Sequence, residues 1–384
     1  MSTGAPAPTD VLFAPLKIRS LELPNRIVMS PMTRERCPRG IPGPDVAAYY
    51  RRRAEGGTGL IITEGVAIDH PSAVDSPNVP RLHTAEARDG WRAVVDAVHA
   101  AGGKIVPQLW HVGPLWGAMA GVDPSVAPMR PSGLWGRPGH TYYPKDYIDR
   151  ASLPTAAMTD DDIDGVIAAF ARSARHAMQS GFDGIALHGG HGYLLDSFLW
   201  SATNRRDDHW GGDTERRTRF PAAVVRAIRQ EIGPHMPIFF RFSQHKQQDY
   251  RARIADTPEE LAVALNALVD AGVDVLDASV RRFDAPAFEG SPRSLAGWAK
   301  HLTGVPAMAV GSVGLGATLQ ESMGQGHSGT HDNIPELLRR LACGEFDLAG
   351  IGRMHLADPA LTRRLRDAGP LPAFDRQLHQ LPLH

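Results

Sequence analysis

The feature that most constrains this chain is a regular alternation of short apolar runs with longer amphipathic stretches. Eight such runs recur along the 384 residues, and each is followed by a stretch whose apolar positions have helical spacing. Near-continuous apolar runs are typical of strands that are buried on both faces. The predicted strands are Ile27–Met32, Gly59–Ile68, Lys104–His111, Gly184–Gly190, Ile238–Ser243, Val275–Val280, Pro306–Ser312 and Leu348–Arg353.

The stretches between the runs carry helix start and stop signals. Acids at 160–162 open one helix, where free backbone N–H groups attract negative charge. Gly181, Gly233 and Gly272 follow helices at positions where left-handed glycines commonly end them. The predicted helices are Val46–Glu55, Thr84–Ala101, Asp160–Ser180, Glu215–Ile232, Thr257–Ala271, Pro292–Leu302, Ile334–Cys343 and His355–Asp367. Eight strand–helix repeats predict an α/β fold, a single (β/α)8 TIM barrel over residues 1–384, with an open doubly wound sheet as the alternative.

Charge and cysteine content disfavour several classes of function. Lys plus Arg total 41 and Asp plus Glu total 42, and the net charge of −1 disfavours nucleic acid or an anionic membrane as a partner. Cys37 and Cys343 are too few to ligate an iron–sulfur cluster or a four-cysteine zinc site. Met1–Asp10 lacks the basic and apolar regions of a secretory leader, and no apolar run reaches the roughly 18 residues of a membrane span. The sequence therefore predicts a cytoplasmic protein, either a monomer or a homo-oligomer.

Three connections are longer than βα loops usually are. They are Val112–Thr159, which is rich in Gly, Pro and aromatic residues, Gln244–Asp256 and Val313–Asn333. Loops beyond about 12–15 residues usually serve as lids or binding loops. Because all three follow predicted strands, they lie at the C-terminal face of a barrel, where such enzymes have their sites. We predict that Val112–Thr159 forms a lid, and we interpret His245 and Lys246 as part of a solvated loop.

Polar residues collect where the predicted strands end, so that they converge on one mouth of the barrel. Gly311-Ser312 and Gly352-Arg353 end the seventh and eighth strands, which is the recurring phosphate site of such barrels. Glycine allows the backbone to approach a phosphate closely, and arginine supplies a planar set of donors. Either pair alone is compatible with a simple turn, but together they predict a phosphate site.

His188, His191 and Tyr193 form a second cluster, separated only by glycines. Two neutral imidazoles can donate hydrogen bonds to one oxygen, as in an oxyanion hole, and a tyrosine can protonate a carbanion or enolate. His-x-x-His can also bind zinc, and histidines are often purely structural. Spacing alone leaves these three interpretations open.

Motifs along nearly the whole chain add a family resemblance. They lie at Leu12–Ile18, Asn25–Arg34, Gln108–His111, Gly181–Gly184, His188–Phe220 (beginning HGGHGYLLDSFLW) and Gly350–Pro359. Together they resemble the Old Yellow Enzyme family of FMN-dependent ene-reductases. The resemblance implies bound FMN, NADPH or NADH as reductant, and hydride transfer from flavin N5 to the β-carbon of an activated alkene such as an enone. The implied partner is a small α,β-unsaturated molecule.

The resemblance also implies a role for each polar residue at the mouth. Tyr193 would deliver a proton to the α-carbon, while His188 and His191 would hydrogen-bond the electron-withdrawing oxygen of the substrate. Arg241 would stabilise negative charge on the reduced flavin, with a buried ion pair as its alternative. Trp110 would shape the substrate pocket or simply pack the barrel. The implied flavin-binding residues are Pro31, Met32, Thr33, Gly65, Gln108, Arg241, Gly311, Ser312, Gly352 and Arg353.

Some positions depart from the family pattern. Trp200-Ser201, Gly212-Asp213 and Ser243–Gln247 differ from the usual residues, and the loop Val313–Asn333 is expanded. These departures concern substrate loops rather than the flavin shell, and they predict a specialised substrate. Two further functions stay open: a flavin-dependent dehydrogenase or isomerase on the same scaffold, and a metal-dependent lyase or hydrolase that uses the two histidines.

Overall fold

The computed structural model describes residues 9–118, 125–319, 321, 329–379 and 381–383. A hairpin of β1 (Leu16–Ile18) and β2 (Leu21–Leu23) precedes a closed barrel of eight parallel strands. The barrel strands are β3 Ile27–Met29, β4 Leu60–Ala67, β5 Ile105–Trp110, β6 Ile185–His188, β7 Ile238–Phe242, β8 Val275–Ser279, β9 Ala307–Val310 and β10 Leu348–Ile351. Each strand pairs with the next along the chain, and β10 pairs with β3. The closed barrel confirms the predicted fold and rules out the open sheet.

Helices cover the outside of the barrel. They are α1 Asp10–Phe13, α2 Pro44–Glu55, α3 Ala85–Ala100, α4 Lys145–Ala151, α5 Asp160–Gln179, α6 Leu194–Leu199, α7 Thr214–Ile232, α8 Pro258–Ala271, α9 Leu295–Thr303, α10 Ile334–Ala342, α11 Met354–Ala357 and α12 Leu361–Arg366. Thr84, Thr159 and Thr257 begin α3, α5 and α8 with side-chain oxygens that accept otherwise unpaired backbone N–H groups. Within the described ranges, no helix combines the length and apolar character that crossing a bilayer requires.

One predicted helix is wrong as a single element. In place of a helix over His355–Asp367, the chain forms α11 and α12. Asp358 between them is extended, with φ −148° and ψ 109°. Pro359 explains the break, because a proline disfavours the helical conformation in the residue before it. The other predicted strands and helices agree with the structure to within three residues at each end.

Alternate residues of the strands fill the barrel interior. The lower part is apolar and includes Val28, Leu60, Ile62, Val106, Ala186, Phe239, Val275, Met308 and Leu348. Ile18, Leu21 and Leu23 of the hairpin pack into the same cluster and close the N-terminal end of the barrel. The sequence analysis missed this hairpin because each of its strands has only three residues, fewer than the roughly four to eight from which alternation is recognised.

Two residues beyond this apolar layer, the same inward face of the strands is polar. Side chains alternate between the two faces of a strand, so positions two apart point the same way. Gln108 on β5, His188 on β6, Arg241 on β7 and Asp277 on β8 occupy these positions. The strand register places His188 beside Arg241 and Arg241 beside Asp277. The barrel thus carries its polar groups in one layer at its C-terminal mouth.

The long connections lie over this mouth. Val112–Thr159, described except for residues 119–124, contains α4 and a small apolar cluster that includes Trp135 and Tyr147. Tyr193 packs against that cluster, which places the segment at the mouth. Its action as a lid stays a prediction. Of Val313–Asn333, residues 320 and 322–328 lie outside the described residues.

A buried carboxyl anchors the loop after β3. Glu64 on β4 is 2% exposed, and its Oε2 accepts the backbone N–H groups of Arg34 and Glu35 at 2.8 and 3.0 Å. Burial raises the pKa of Glu64 from 4.5 to about 7. Between pH 4.5 and about 7, the folded state therefore keeps the Glu64 proton, which the unfolded state has released.

Glu64→Gln is therefore expected to flatten the pH dependence of stability. In the wild type this carboxyl lowers the unfolding free energy as pH rises from 4.5 to about 7, because the folded state resists ionisation. Glutamine keeps an acceptor oxygen but does not titrate. Urea unfolding at pH 5 and pH 8 should show the wild type losing about 1–3 kcal/mol more than the variant over this interval. Parallel changes in the two proteins would contradict the raised pKa.

Candidate active site

A cavity of about 360 Å³ lies at the C-terminal mouth of the barrel. Its size falls within the roughly 300–1,000 Å³ of small-molecule sites. The cavity brings together every residue that the sequence analysis connected with catalysis, the flavin or the substrate pocket. These residues are Pro31, Met32, Thr33, Gly65, Gln108, Trp110, His188, His191, Tyr193, Arg241, Gly311, Ser312, Gly352 and Arg353.

The cavity lining also contains residues that the sequence analysis did not assign to the flavin site, the catalytic groups or the substrate pocket. His245 and Gln247 come from the loop after β7, Ser279 and Arg281 from the end of β8, and Leu315 from the loop after β9. Each of them lies at or shortly after the end of a barrel strand, where functional residues are expected. That position was the available signal, although nothing in the residue types distinguished them from solvated loop residues.

Lys246 and Asp196 form a buried ion pair next to this cavity. Their Nζ and Oδ1 atoms are 2.7 Å apart, and both side chains are 0% exposed. Asp196 Oδ2 also accepts the Gly192 N–H at 2.6 Å, and Lys246 Nζ donates to the Ser243 carbonyl at 3.1 Å. Burial lowers the pKa of Lys246 and raises that of Asp196, and the charge of each partner counteracts this effect. The interpretation of His245 and Lys246 as a solvated loop is therefore wrong, because this loop packs onto the turn after β6.

The turn between β6 and α6 presents the two histidines. His191 adopts φ +64° and Gly192 φ +83°, in the left-handed region. A Cβ atom on Gly192 would overlap the Gln248 side chain, so the turn requires glycine there. Ser243 Oγ accepts the His191 backbone N–H at 2.8 Å, which holds the turn against the loop after β7.

The two imidazoles contact each other. His188 Nε2 lies 2.9 Å from His191 Nδ1, and His191 Nε2 lies 3.0 Å from Ser279 Oγ. Burial first, and then nearby positive charge that includes Arg241, hold the pKa of both rings well below the usual value, so both are neutral at pH 7. One nitrogen of the 2.9 Å contact must therefore donate and the other accept. Donation by both rings to one substrate oxygen stays a prediction, and it requires the two rings to separate.

Tyr193 lies against the aromatic wall of the cavity. Its ring centroid is 5.0 Å from that of Trp110 and 4.6 Å from that of His188. Within the described residues its hydroxyl makes no hydrogen bond. Burial raises the pKa of Tyr193 well above its usual value, so the hydroxyl keeps its proton. A side chain on Gly65 would clash with the Trp110 ring, which explains the glycine on β4.

Several buried donors along the cavity have no partner among the described residues. They include Gln108 Nε2, Arg241 Nη2 and Arg353 Nη1. Arg241 Nε donates to Asp277 Oδ2 at 2.7 Å, so the buried ion pair that was considered for Arg241 exists. This ion pair leaves Arg241 Nη2 without a partner among the described residues. Arg353 Nη2 donates to Ser312 Oγ at 3.0 Å. A buried donor without a partner costs about 1–3 kcal/mol, so these atoms indicate a ligand with acceptors on one edge and an anionic group, which FMN has.

Comparison with known proteins identifies the family. The family model described as "NADH:flavin oxidoreductase / NADH oxidase family" matches residues 11–371. The chain belongs to the Old Yellow Enzyme family. It is an FMN-dependent NAD(P)H oxidoreductase, as the sequence resemblance implied.

Individual Old Yellow Enzyme relatives match along most of the chain. Flavin oxidoreductase hxnT of Emericella nidulans is 30% identical over an alignment of 405 residues. This alignment covers 97% of this chain and 95% of that protein. Putative 12-oxophytodienoate reductase 2 of Oryza sativa subsp. japonica is 38% identical over 234 residues, which span 60% of this chain and only 59% of that protein. The structure of the old yellow enzyme homologue from Zymomonas mobilis superposes with a TM-score of 0.76 at 26% identity and covers 96% of both chains.

Membership of the Old Yellow Enzyme family bears on the metal alternative at His188 and His191. In the part of the chain that the structure describes, no group of three or more His, Cys, Asp and Glu side chains is arranged to hold a metal ion. The two histidines instead bond to each other and to Ser279. The family match favours flavin chemistry over the metal-dependent lyase or hydrolase.

Proposed function

We propose that this enzyme reduces the C=C bond of a small activated alkene, such as an enone or enal, with Tyr193 as the proton donor. The observation that carries the proposal is the grouping of two neutral imidazoles and one protonated phenol in a single cavity. The ring centroids of His188 and His191 are 5.1 Å apart, and that of Tyr193 is 4.6 Å from His188. These groups can stabilise an oxygen and supply a proton within one small ligand.

The unpartnered donors of the cavity would hold the flavin. When bound and reduced by NAD(P)H, FMN would supply the hydride for the β-carbon of the alkene. Arg241 would offer its free guanidinium nitrogen to the ring, while Asp277 fixes the orientation of the guanidinium. Gln108 would donate to the ring edge, and Trp110 would shape the space for the substrate. Pro31, Met32, Thr33 and Gly65 would line the ring, and Gly311, Ser312, Gly352 and Arg353 would bind the phosphate.

His188 and His191 stabilise the activating oxygen of the substrate. Hydride addition to the β-carbon moves negative charge onto this oxygen, and a donor placed there lowers the barrier. The low pKa of both imidazoles keeps them neutral N–H donors rather than cations. Loss of one such donor typically costs about 2.7–4 kcal/mol in the transition state.

Tyr193 completes the reaction by protonating the α-carbon. Its high pKa keeps the proton in place until charge develops on the substrate. The names of relatives support this class of reaction, since the rice protein is named as a reductase of an oxo-dienoate, a compound with a carbonyl and C=C bonds. The same hydride path can run in reverse, so a dehydrogenase or isomerase is the competing outcome.

The flavin spectrum tests the proposal. The visible band of the purified holoenzyme should bleach when NADPH or NADH is added without oxygen, and it should return when 2-cyclohexenone is added. Cyclohexanone, which lacks the C=C bond, is the matched control and should leave the band bleached. No return with any of a set of enones and enals would contradict alkene reduction. Bleaching of the oxidised enzyme by a saturated ketone would favour the dehydrogenase.

A further inference from the structure

The cavity contains more positive charge than the flavin site uses. Arg241, Arg281 and Arg353 line it, and none of its described lining residues is Asp or Glu. Arg241 has a counter-charge in Asp277, 2.7 Å away. Arg353 lies beside Ser312 in the proposed phosphate site. Arg281 is the remaining cation, and neither role accounts for it.

Arg281 makes no ion pair with any residue that the structure describes. Its Nη2 donates a long hydrogen bond of 3.4 Å to Thr318 Oγ1, and its Nε is buried without a partner. Glu321 acts on Arg281 electrostatically, but its Oε2 accepts the Thr318 backbone N–H at 2.8 Å. A half-buried guanidinium without a paired anion is a favourable place for the anionic group of a ligand.

Tyr250 contacts both Arg281 and a second donor. The guanidinium carbon lies 5.7 Å from the Tyr250 ring centroid. The Tyr250 hydroxyl donates to Gln247 Oε1 at 3.2 Å, which leaves the amide NH₂ of Gln247 to donate elsewhere. Both Arg281 and Gln247 line the cavity. A guanidinium and an amide NH₂ held by the same ring suit the two oxygens of a carboxylate.

His245 connects this cluster to the histidine pair. Its ring centroid is 5.0 Å from that of His191 and 6.4 Å from that of Tyr250. Burial, together with the charges of Lys246 and Arg281, lowers the pKa of His245 to about 3, so the ring is neutral and flanks the cavity without adding charge. A ligand with one oxygen at His191 can therefore extend along His245 towards Arg281.

The geometry points to a carboxylate subsite at Arg281 and Gln247, so that the enzyme acts on alkenes that carry a carboxylate remote from the activating oxygen. This inference rests on the proposed function, because the first anchor of the ligand is the oxygen held by His188 and His191. Arg281 is a residue of substrate selection, and its replacement should act on KM rather than on kcat.

Three phenolic acids and their amides test the subsite by calorimetry on the oxidised holoenzyme. The acids are 4-hydroxybenzoate, 4-hydroxyphenylacetate and 3-(4-hydroxyphenyl)propionate, whose phenol oxygen occupies the histidine pair. Each acid differs from its amide in charge but hardly in shape. We expect at least one acid to bind roughly tenfold tighter than its amide, as a charge-assisted contact allows.

Variants test whether Arg281 causes the tighter binding of the acid than of its amide. Arg281→Met should bring the acid-to-amide ratio close to one, and Arg281→Lys should keep part of it. Arg282→Met is the matched control, because it removes a neighbouring arginine that is not part of the cavity lining. Arg282 Nε lies 3.5 Å from Asp284 Oδ1, so this arginine already has a counter-charge. Arg282→Met should keep the whole preference for the acid.

The possible failures are distinguishable. Equal binding of acid and amide at every length, or an unchanged ratio in Arg281→Met, rules out the subsite. If none of the six phenols binds, the oxygen anchor at His188 and His191 fails, and the subsite argued from it fails as well, whereas the flavin spectrum with enones tests alkene reduction separately. Loss of FMN from Arg281→Met would make this arginine a flavin-phosphate ligand, and an effect confined to NADPH over NADH would assign it to the nicotinamide cofactor. Either result overturns the carboxylate subsite.

Discussion

Replacement of Tyr193 by phenylalanine is expected to slow re-oxidation of the reduced enzyme by an enone roughly 10²–10⁴-fold, the usual contribution of a general acid. Reduction by NAD(P)H should stay unchanged, because no proton is delivered to an alkene in that half-reaction. The ring contacts with Trp110 and His188 survive the substitution, and the hydroxyl makes no hydrogen bond with a described residue. Anaerobic stopped-flow absorbance measures the two half-reactions separately.

Two controls separate proton donation from a change in the shape of the cavity. Tyr142→Phe removes the same atom from a side chain that is 37% exposed and outside the cavity lining, and it should leave both rates unchanged. Ferricyanide takes electrons without a carbon–hydrogen bond being formed, so it should re-oxidise Tyr193→Phe as fast as the wild type. Equal slowing with ferricyanide and the enone would remove Tyr193 from the role of proton donor.

Replacement of Lys246 by methionine is expected to lower the free energy of unfolding by about 3–5 kcal/mol, because it leaves the Asp196 carboxylate buried without its partner. Both side chains are 0% exposed, and their contact of 2.7 Å joins the loop after β7 to the turn that carries His191. The shift should appear as a lower midpoint in urea unfolding followed by circular dichroism.

A surface ion pair and a double variant show whether the unpaired buried charge causes the loss in the free energy of unfolding. Lys145 pairs with Asp149 but is 86% exposed, so Lys145→Met should cost no more than about 1 kcal/mol. Adding Asp196→Asn to Lys246→Met should recover most of the loss, since the amide is neutral and still offers an oxygen to the Gly192 N–H. No recovery would indicate that packing of the lysine chain, and not its charge, stabilises the turn.

The barrel was predictable because each of its strands is buried on both faces and therefore stands out as an apolar run. All eight residues of β4, for example, are buried. The break between α11 and α12 was also visible in the sequence, at Pro359, but the apolar spacing on either side concealed it. The hairpin β1–β2 was not predictable, since its short strands are stabilised by the barrel interior rather than by a pattern of their own.

The site was predictable in its members but not in its contacts. Strand ends and family motifs pointed to His188, Tyr193 and Arg353, whereas His245 and Lys246 look like ordinary polar loop residues. Only the folded chain brings Asp196, 50 residues before Lys246, to that lysine. Local sequence also could not show that the two imidazoles meet each other, because this contact depends on the left-handed conformation of His191.

Ile18, Leu21 and Leu23 close the amino end of the barrel, and the cavity lies at the opposite, C-terminal mouth. In the proposed reaction, NAD(P)H and the alkene would bind in the same cavity, and one would have to leave before the other binds. Reduction of the flavin by NAD(P)H and its re-oxidation by the alkene would then alternate, without a complex that holds both molecules. An excess of NAD(P)H or of the alkene would then occupy the cavity in place of the other molecule and slow turnover.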